Sequence, residues 1–247
     1  MINVVIPMAG ECKRFTDAGF SIPKPFIDIC GTSMIERVIR NLALNNARYI
    51  LIARDEHYSS QKSICLSLKT KYNCSFINID RLTEGAAVSV LLACWNINND
   101  EPLLIANCDQ IVNMKVQDFV DDCHKRNLDG SILTFPANHT KWSYAKINDN
   151  GYVTEVREKE VISNHATVGL YYFIKGSYFI NSAIQMIAYN DRVNNEFYTA
   201  PVYNYVVKQG LKIGIYDILE SQMHGTGTPE DFREYINYLN HYSKGKI

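Results

Sequence analysis

The stretch INVVIPMAGECKRFTDAGFSIPKPFIDICG, residues 2–31, decides the fold. Its opening run, residues 2–8, has the length and β-branched content of a buried strand. It passes directly into a small-residue turn, Ala9-Gly10, and then a basic pair, Lys13 and Arg14. Further on, Lys24 stands between Pro23 and Pro25. Prolines on both sides restrict the backbone and predict an extended mount for that lysine. A buried strand ending in a glycine turn, with two fixed cations, is how an α/β protein receives a polyphosphate. Ligands sit outside the carboxyl ends of parallel strands, and backbone N–H groups with Arg and Lys neutralise the phosphates. A tight turn at Gly10 with solvated side chains at Lys13 and Arg14 is the plainer reading of the loop, but it leaves the paired prolines unexplained.

Outward from this stretch the pattern alternates. Ser33 and Glu36 predict a capping box opening a helix with Ile35, Val38, Ile39 and Leu42 on one face. Strands are predicted over 49–53, 75–79 and 103–106, with helical spacing over about 57–72 and after residue 86. Strands alternating with helices argue for a mostly parallel sheet built by right-handed crossovers. Beyond residue 110 the style changes. Strands are predicted over 131–135, 144–147, 152–156, 166–174 and 211–218, with an Asn-Gly hairpin turn at Asn150-Gly151. Helices are expected over about 177–188 and 197–208, and a last one after Thr228-Pro229, with Thr as N-cap and Pro at the first position. The expected organisation is a single domain, residues 1–247, with two halves dividing at about residue 110.

The 247 residues suffice for a sizeable core, and 25 basic against 26 acidic residues leave a net charge of −1. No basic stripe suggests nucleic acid, so a small-molecule phosphate is the expected partner. There is no signal peptide pattern and no apolar run of membrane-spanning length, which predicts a cytoplasmic protein without membrane contact. The seven cysteines show no CxxC spacing and read as small buried hydrophobes in a reducing compartment.

The run PMAGECKRF…PKPFIDICGTSMIERVI resembles the N-terminal signature of the sugar-phosphate nucleotidyltransferases, the GT-A-like pyrophosphorylases. The resemblance implies an α/β fold with a Rossmann-like, mixed but mostly parallel sheet flanked by helices. It also implies transfer of a nucleotidyl unit from an NTP to a small phosphorylated acceptor with release of pyrophosphate, with a nucleotide-binding half to about residue 110 and an acceptor-binding half over about 111–247. On that resemblance Ala9, Gly10 and Glu11 wrap the triphosphate, Arg14 contacts its β/γ-phosphates and Lys24 the α-phosphate. Cys12 stands where the family usually has its second glycine. LLIANCDQ resembles the family's metal-binding strand end, which implies Asp109 as the Mg²⁺ ligand with Asn107 beside the nucleotide; a turn or cap at Asn-x-Asp is the plainer alternative. Glu84, Gly85 and Ala86 match the helix start where the base is read. Glu158-Lys159, ahead of Gly169, resembles the acceptor block, with Lys159 on the acceptor phosphate, Glu158 on a hydroxyl, and Glu160 in place of the family's proline. Glu196 resembles a further acceptor contact. His224-Gly225-Thr226-Gly227-Thr228 resembles the C-terminal block, with Gly225 where a second metal aspartate usually stands and His224 adjacent.

An acceptor phosphate is already an anionic nucleophile, so no Ser–His or Cys–His system is needed, and none is visible. CTP is the favoured nucleotide, with UTP and dTTP open, because the compact length looks like the smaller bacterial enzymes serving capsule or envelope polysaccharides. The acceptor is left open between a sugar phosphate and a smaller phosphate such as a polyol phosphate or phosphocholine; a homo-oligomer is compatible with the chain. A dinucleotide-fold dehydrogenase would want the two further glycines of G-x-G-x-x-G, which Gly10 lacks. A GT-A glycosyltransferase and a non-catalytic nucleotide-binding protein of the same fold remain the rivals.

Overall fold

The computed structural model describes residues 1–244. The opening run forms β1 (Ile2–Pro7). A one-turn helix α1 (Lys13–Asp17) follows, and then α2 (Met34–Leu42). The chain continues through β2 (Ala47–Arg54), α3 (Asp55–Ser60), α4 (Lys62–Lys71) and β3 (Cys74–Ile79). Next come α5 (Ala86–Leu91), α6 (Cys94–Ile97), β4 (Leu103–Ala106), β5 (Gln110–Val112) and α7 (Val116–Lys125). The later part contributes β6 (Gly130–Pro136), β7 (Ser143–Ile147), β8 (Val153–Glu158), β9 (His165–Phe173) and α8 (Gly176–Ala188). It ends with α9 (Val202–Lys208), β10 (Ile213–Asp217), β11 (Met223–Gly225) and α10 (Pro229–Lys244).

The sheet runs β10-β6-β9-β4-β1-β2-β3. Strands β1, β2, β3 and β4 are parallel, while β9 lies antiparallel between β4 and β6. The sheet is therefore mixed, and residues from both parts of the chain share it. Apolar side chains alternate between two cores, one on each face: Val4, Ile6 and Leu104 in one, Val5, Leu103 and Ile105 in the other. Burial on both faces explains why these strands read as near-continuous apolar runs. Asn3 interrupts the run yet is fully buried, because its amide donates to Glu101 at 3.3 Å and accepts from Arg48.

Several boundaries differ from the sequence pattern for local reasons. Pro23 has φ −56° and ψ 135°, but Lys24–Phe26 closes into a 3-10 turn, with the Ile27 N–H donating to Lys24 O at 3.1 Å. Lys24 thus begins a tight turn instead of sitting in extended chain. The helical pattern over 57–72 breaks at Gln61, and the helix after Gly85 breaks between Leu91 and Cys94. Only Cys65, Cys108 and Cys123 are buried; Cys30 is exposed. At α10 the Thr228 hydroxyl accepts from the Asp231 N–H at 3.1 Å, as the sequence pattern requires.

The cap of α2 is half of a capping box. Ser33 Oγ accepts from the Glu36 N–H at 3.4 Å, but the Glu36 carboxylate turns to Arg40, Lys71 and Tyr72 at 2.7, 3.2 and 3.1 Å. Burial alone would push Glu36 up; the three donors outweigh it and hold it below its usual 4.5. A depressed folded-state pKa means the carboxylate stabilises above about pH 4.5, and that contribution is lost as pH falls through the lowered value. Glu36→Gln should therefore cost about 1–3 kcal/mol at pH 7. Urea denaturation should show the gap from wild type closing as the pH is lowered through 4.5.

Candidate active site

Because β1, β2 and β4 are parallel, their carboxyl ends open on the same edge of the sheet. The loop after β1 and the Asn107-Cys108-Asp109 turn after β4 meet there. Lys24, delivered by its proline-flanked turn, reaches across and donates to Asp109 Oδ2 at 2.5 Å, with the two side chains 14% and 15% exposed. Burial acts to lower the lysine's pKa; the Asp109 carboxylate, with Cys108 and Cys12 adding to it, outweighs that and raises it, so Lys24 is a fixed cation. Asp109 is braced from behind. Its carbonyl accepts from both the N–H and the hydroxyl of buried Thr226, at 2.8 and 3.0 Å. A Cβ on Gly227 would lie 2.8 Å from its carboxylate.

A cavity of about 380 Å³ opens over this pair. Ala9, Gly10, Glu11, Gly85, Ala86, Asn107 and Asp109 line it with Lys24. Leu82, Thr83, Ser89 and Gln110 join them without having been foreseen; the Thr83 and Ser89 hydroxyls lie 2.6 Å apart. Cys12 also lines the cavity and has φ 57°, the left-handed backbone that glycine adopts without strain. The substitution therefore keeps the loop's backbone geometry, and the thiol turns back to within 3.3 Å of Gly10 O.

An adjoining cavity of about 170 Å³ shares Ala86, Asn107 and Gln110 with the first. Glu158 lines it, taking a short hydrogen bond from Ser143 Oγ. Burial raises the Glu158 pKa, with the Ser143 hydroxyl and Lys159 opposing in part. Thr167, Tyr171, Tyr198 and Thr199 complete a polar wall that the sequence reading did not assemble. Tyr198 and Thr199 directly follow the Glu196 segment, and Ser143 follows Trp142; those neighbours were the available signals. The Gln110 Oε1 and Thr199 Oγ1 atoms are buried with no hydrogen-bond partner among the described residues.

Other foreseen residues take different places. Arg14 is exposed on α1 and does not line the cavity at Lys24. Glu84 turns outward to Arg192 at 2.7 Å and is absent from the lining. Glu196 lines the larger cavity, not the smaller one. Lys159, at φ 58°, donates to the Tyr198 hydroxyl at 2.7 Å beside the smaller cavity, while Lys141 lines it. Gly169, at φ 98°, lines neither cavity; its missing side chain makes room for the Asn107 and Gln110 amides, which a Cβ there would overlap. His224 points away from Asp109, with Nε2 2.9 Å from Asn113 Nδ2 and its ring against Tyr238. A larger groove, about 810 Å³, runs beside α10 and touches the smaller cavity at Lys141 and Trp142, but contains neither Lys24 nor Asp109.

A fixed lysine and a carboxylate, with a glycine turn beside them at the carboxyl ends of parallel strands, are the arrangement expected of an α/β protein that binds phosphates. The nucleotidyl transferase family model matches residues 3–237, and the chain belongs to that family. Its fold is similar to that of a nucleoside-diphosphate-sugar pyrophosphorylase from Vibrio cholerae RC9, at 22% identity and TM-score 0.81, covering 95% of this chain and 99% of that one. A Bacillus anthracis protein assigned as a glucose-1-phosphate thymidylyltransferase, solved with a sucrose, matches at 16% identity and TM-score 0.78, over 97% of this chain and 95% of that one. The inositol-1-phosphate CTP transferase from T. maritima matches at 12% identity and TM-score 0.73, over 93% and 90%. No curated protein matches by sequence. The GT-A-like nucleotidyltransferase fold is thus the one this chain adopts.

Gly85 joins the two cavities' walls. At φ 118°, it lets the Phe197 backbone approach so closely that a Cβ would stand 2.5 Å from Phe197 O. The Phe197 N–H donates to Glu84 O at 2.7 Å and its carbonyl accepts from Ala87 N–H at 3.0 Å. Gly85→Ala should therefore cost at least about 2 kcal/mol by urea denaturation. Gly10→Ala, where a Cβ meets nothing within 4 Å, should stay within about 0.5 kcal/mol of wild type.

Proposed function

We propose that the protein is a Mg²⁺-dependent nucleotidyltransferase that moves a CMP unit from CTP to a small phosphorylated acceptor and releases pyrophosphate. The observation that supports this reading is Lys24 held at 2.5 Å from Asp109 in a cavity whose wall is shared with a second, polar cavity. Two adjoining cavities meeting beside a fixed cation suit a reaction between two phosphates. An acceptor phosphate oxygen attacks the α-phosphorus, the new P–O bond forms, and the bond to the pyrophosphate leaving group breaks. Lys24 offsets charge on the α-phosphoryl oxygens, and the wall of Ala86, Asn107 and Gln110 sets the line of approach.

Among the described residues no three His, Cys, Asp or Glu side chains form a metal-binding group. A single carboxylate fits Mg²⁺, which keeps waters and takes the rest of its ligands from phosphates. Asp109 would hold it, and the ion would supply charge neutralisation on the triphosphate. The acceptor cavity is lined by Glu158, Gln110, Thr167, Tyr198 and Thr199, a polar set that favours a sugar or polyol phosphate. The Lys141 and Lys159 ammonium groups already cover the Trp142 and Tyr198 rings, at 4.7 and 4.8 Å, leaving those faces unavailable to a quaternary ammonium. An activated precursor for envelope or capsule polysaccharide is the product class this implies, in a cytoplasmic setting.

Pyrophosphate release should require one nucleotide paired with one acceptor when CTP, UTP, dTTP, GTP and ATP are crossed with sugar, polyol and choline phosphates. Binding of nucleotide without release under any pair would favour a non-catalytic relative. Lys24→Ala should lower kcat about 10²–10³-fold, by analogy with losing a preorganised oxyanion donor. Glu158→Gln should instead raise the KM for acceptor while leaving the KM for nucleotide within about twofold, because it touches uniform binding of one substrate.

A further inference from the structure

The cavity at Lys24 has one wall without charge. Lys24 is the only cation among the described residues lining the cavity, so on the nucleotidyl-transfer reading a triphosphate sits on its side. Segment 82–89 supplies a different wall, through Leu82, Thr83, Gly85, Ala86 and Ser89. The one acid of that segment, Glu84, turns outward to Arg192 and is absent from the lining. Leu82 leaves 44% of its surface exposed, an apolar area that a planar ring would cover. Gly85 and Ala86 have almost no side chain to keep such a ring away. A neutral wall of this kind suits the base of a nucleotide.

The polarity of the wall follows from counting protons. The Thr83 and Ser89 hydroxyls lie 2.6 Å apart, and Thr83 Oγ1 donates to Gly85 O at 3.1 Å. Each hydroxyl has a single proton. With the Thr83 proton on Gly85 O, the contact between the hydroxyls is a hydrogen bond only if Ser89 donates to Thr83. The reverse order would forfeit one of these two hydrogen bonds at a buried serine. Both protons are thus spent inside the protein. Ser89 Oγ keeps two free lone pairs and Thr83 Oγ1 keeps one, so the pair accepts from a ligand and cannot donate to it.

We propose that Thr83 and Ser89 select a nucleotide whose base carries an exocyclic amine, with an amine N–H donating to Ser89 Oγ. The proposal rests on the nucleotidyl-transfer reading and adds to it the residues that choose the base. Cytosine has that amine, whereas uracil and thymine carry a keto oxygen at the same place, which would meet lone pairs. Their ring N–H does not compensate. It lies between two keto oxygens that project past it, so with acceptors 2.6 Å apart one keto oxygen faces the second hydroxyl. An amine projects beyond the ring edge and meets both hydroxyl oxygens without that repulsion. Adenine carries the same amine, and the experiment separates the two bases.

Titration calorimetry with Mg²⁺ and no acceptor tests this with two pairs, CTP against UTP and ATP against inosine triphosphate. Each pair exchanges an amine for a keto oxygen. The amine-bearing member of one pair should bind at least about tenfold tighter; discrimination in the first pair names cytosine, in the second adenine. Ser89→Ala should bring the preferred nucleotide down to near its keto partner. Thr83→Val should act on the partner instead: it frees the Ser89 proton to donate to a keto oxygen, so the keto nucleotide should gain severalfold. A merely structural role for the hydroxyls would weaken both members alike. Lys24→Ala should weaken both and leave their ratio within about twofold, since it acts on the phosphates. Melting curves would confirm that each variant is folded. Binding without discrimination in either pair, or preference for the keto base, would overturn the proposal and leave the nucleotide reading standing. Failure of all these nucleotides to bind would overturn both.

Discussion

An ammonium and a carboxylate 85 positions apart in sequence, held 2.5 Å from each other at the rim of a buried sheet, are what the rest of this molecule arranges. Each is brought by a different device. The lysine comes on a turn between two prolines, and the aspartate on the end of a strand buried on both faces. The parallel pairing of β1 with β4 puts those devices on the same edge. A charged pair this far out of water is costly unless other groups brace it, and Thr226 and Gly227 supply the brace from the far end of the chain. Loss of any of these supports would leave a lysine and a carboxylate near a sheet edge, but no site.

The second dependence is backbone on backbone. The segment around Phe197 docks onto the turn at Glu84 and Gly85 and the first residues of α5, through main-chain hydrogen bonds in both directions. Main-chain docking of this kind fixes the relative placement of the two cavities independently of which side chains line them. The antiparallel strand β9, inserted between β4 and β6, does the same from below, since Asn107 N–H donates to Gly169 O at 2.9 Å. Residues of the first half of the chain thereby make up most of the wall of the cavity at Lys24, and residues of the second half most of the wall of the smaller one.

Much of this was legible in the sequence because it depends on local chemistry. The apolar runs of β1 and β4 named a buried sheet, Thr228-Pro229 named a helix start, and Lys24 and Asp109 stood out by mount and by strand end. What escaped depends on tertiary placement. Thr199 and Gln110 have no local signature; their importance comes from being buried without partners among the described residues. Glu84 and Glu196 adjoin the docking contact at Gly85 and Phe197, and which way each carboxylate turned was decided by that contact and by Arg192. Lys24's turn was misread as extended because proline spacing constrains φ without specifying the hydrogen bond that follows.

The common wall of Ala86, Asn107 and Gln110 has a consequence for how such a protein changes over time. On the proposed function, a substitution in that wall would alter both substrates' seats at once, so an acceptor preference could not be retuned there without disturbing the nucleotide. The opposite wall, Ser143, Glu158, Tyr198 and Thr199, faces only the smaller cavity. On the proposed function, variation confined to those positions would exchange one acceptor for another while the nucleotide's seat stayed fixed. The architecture thus separates a conservative side from a permissive one, and a lineage of such chains would be expected to diverge in what they accept before they diverge in what they transfer.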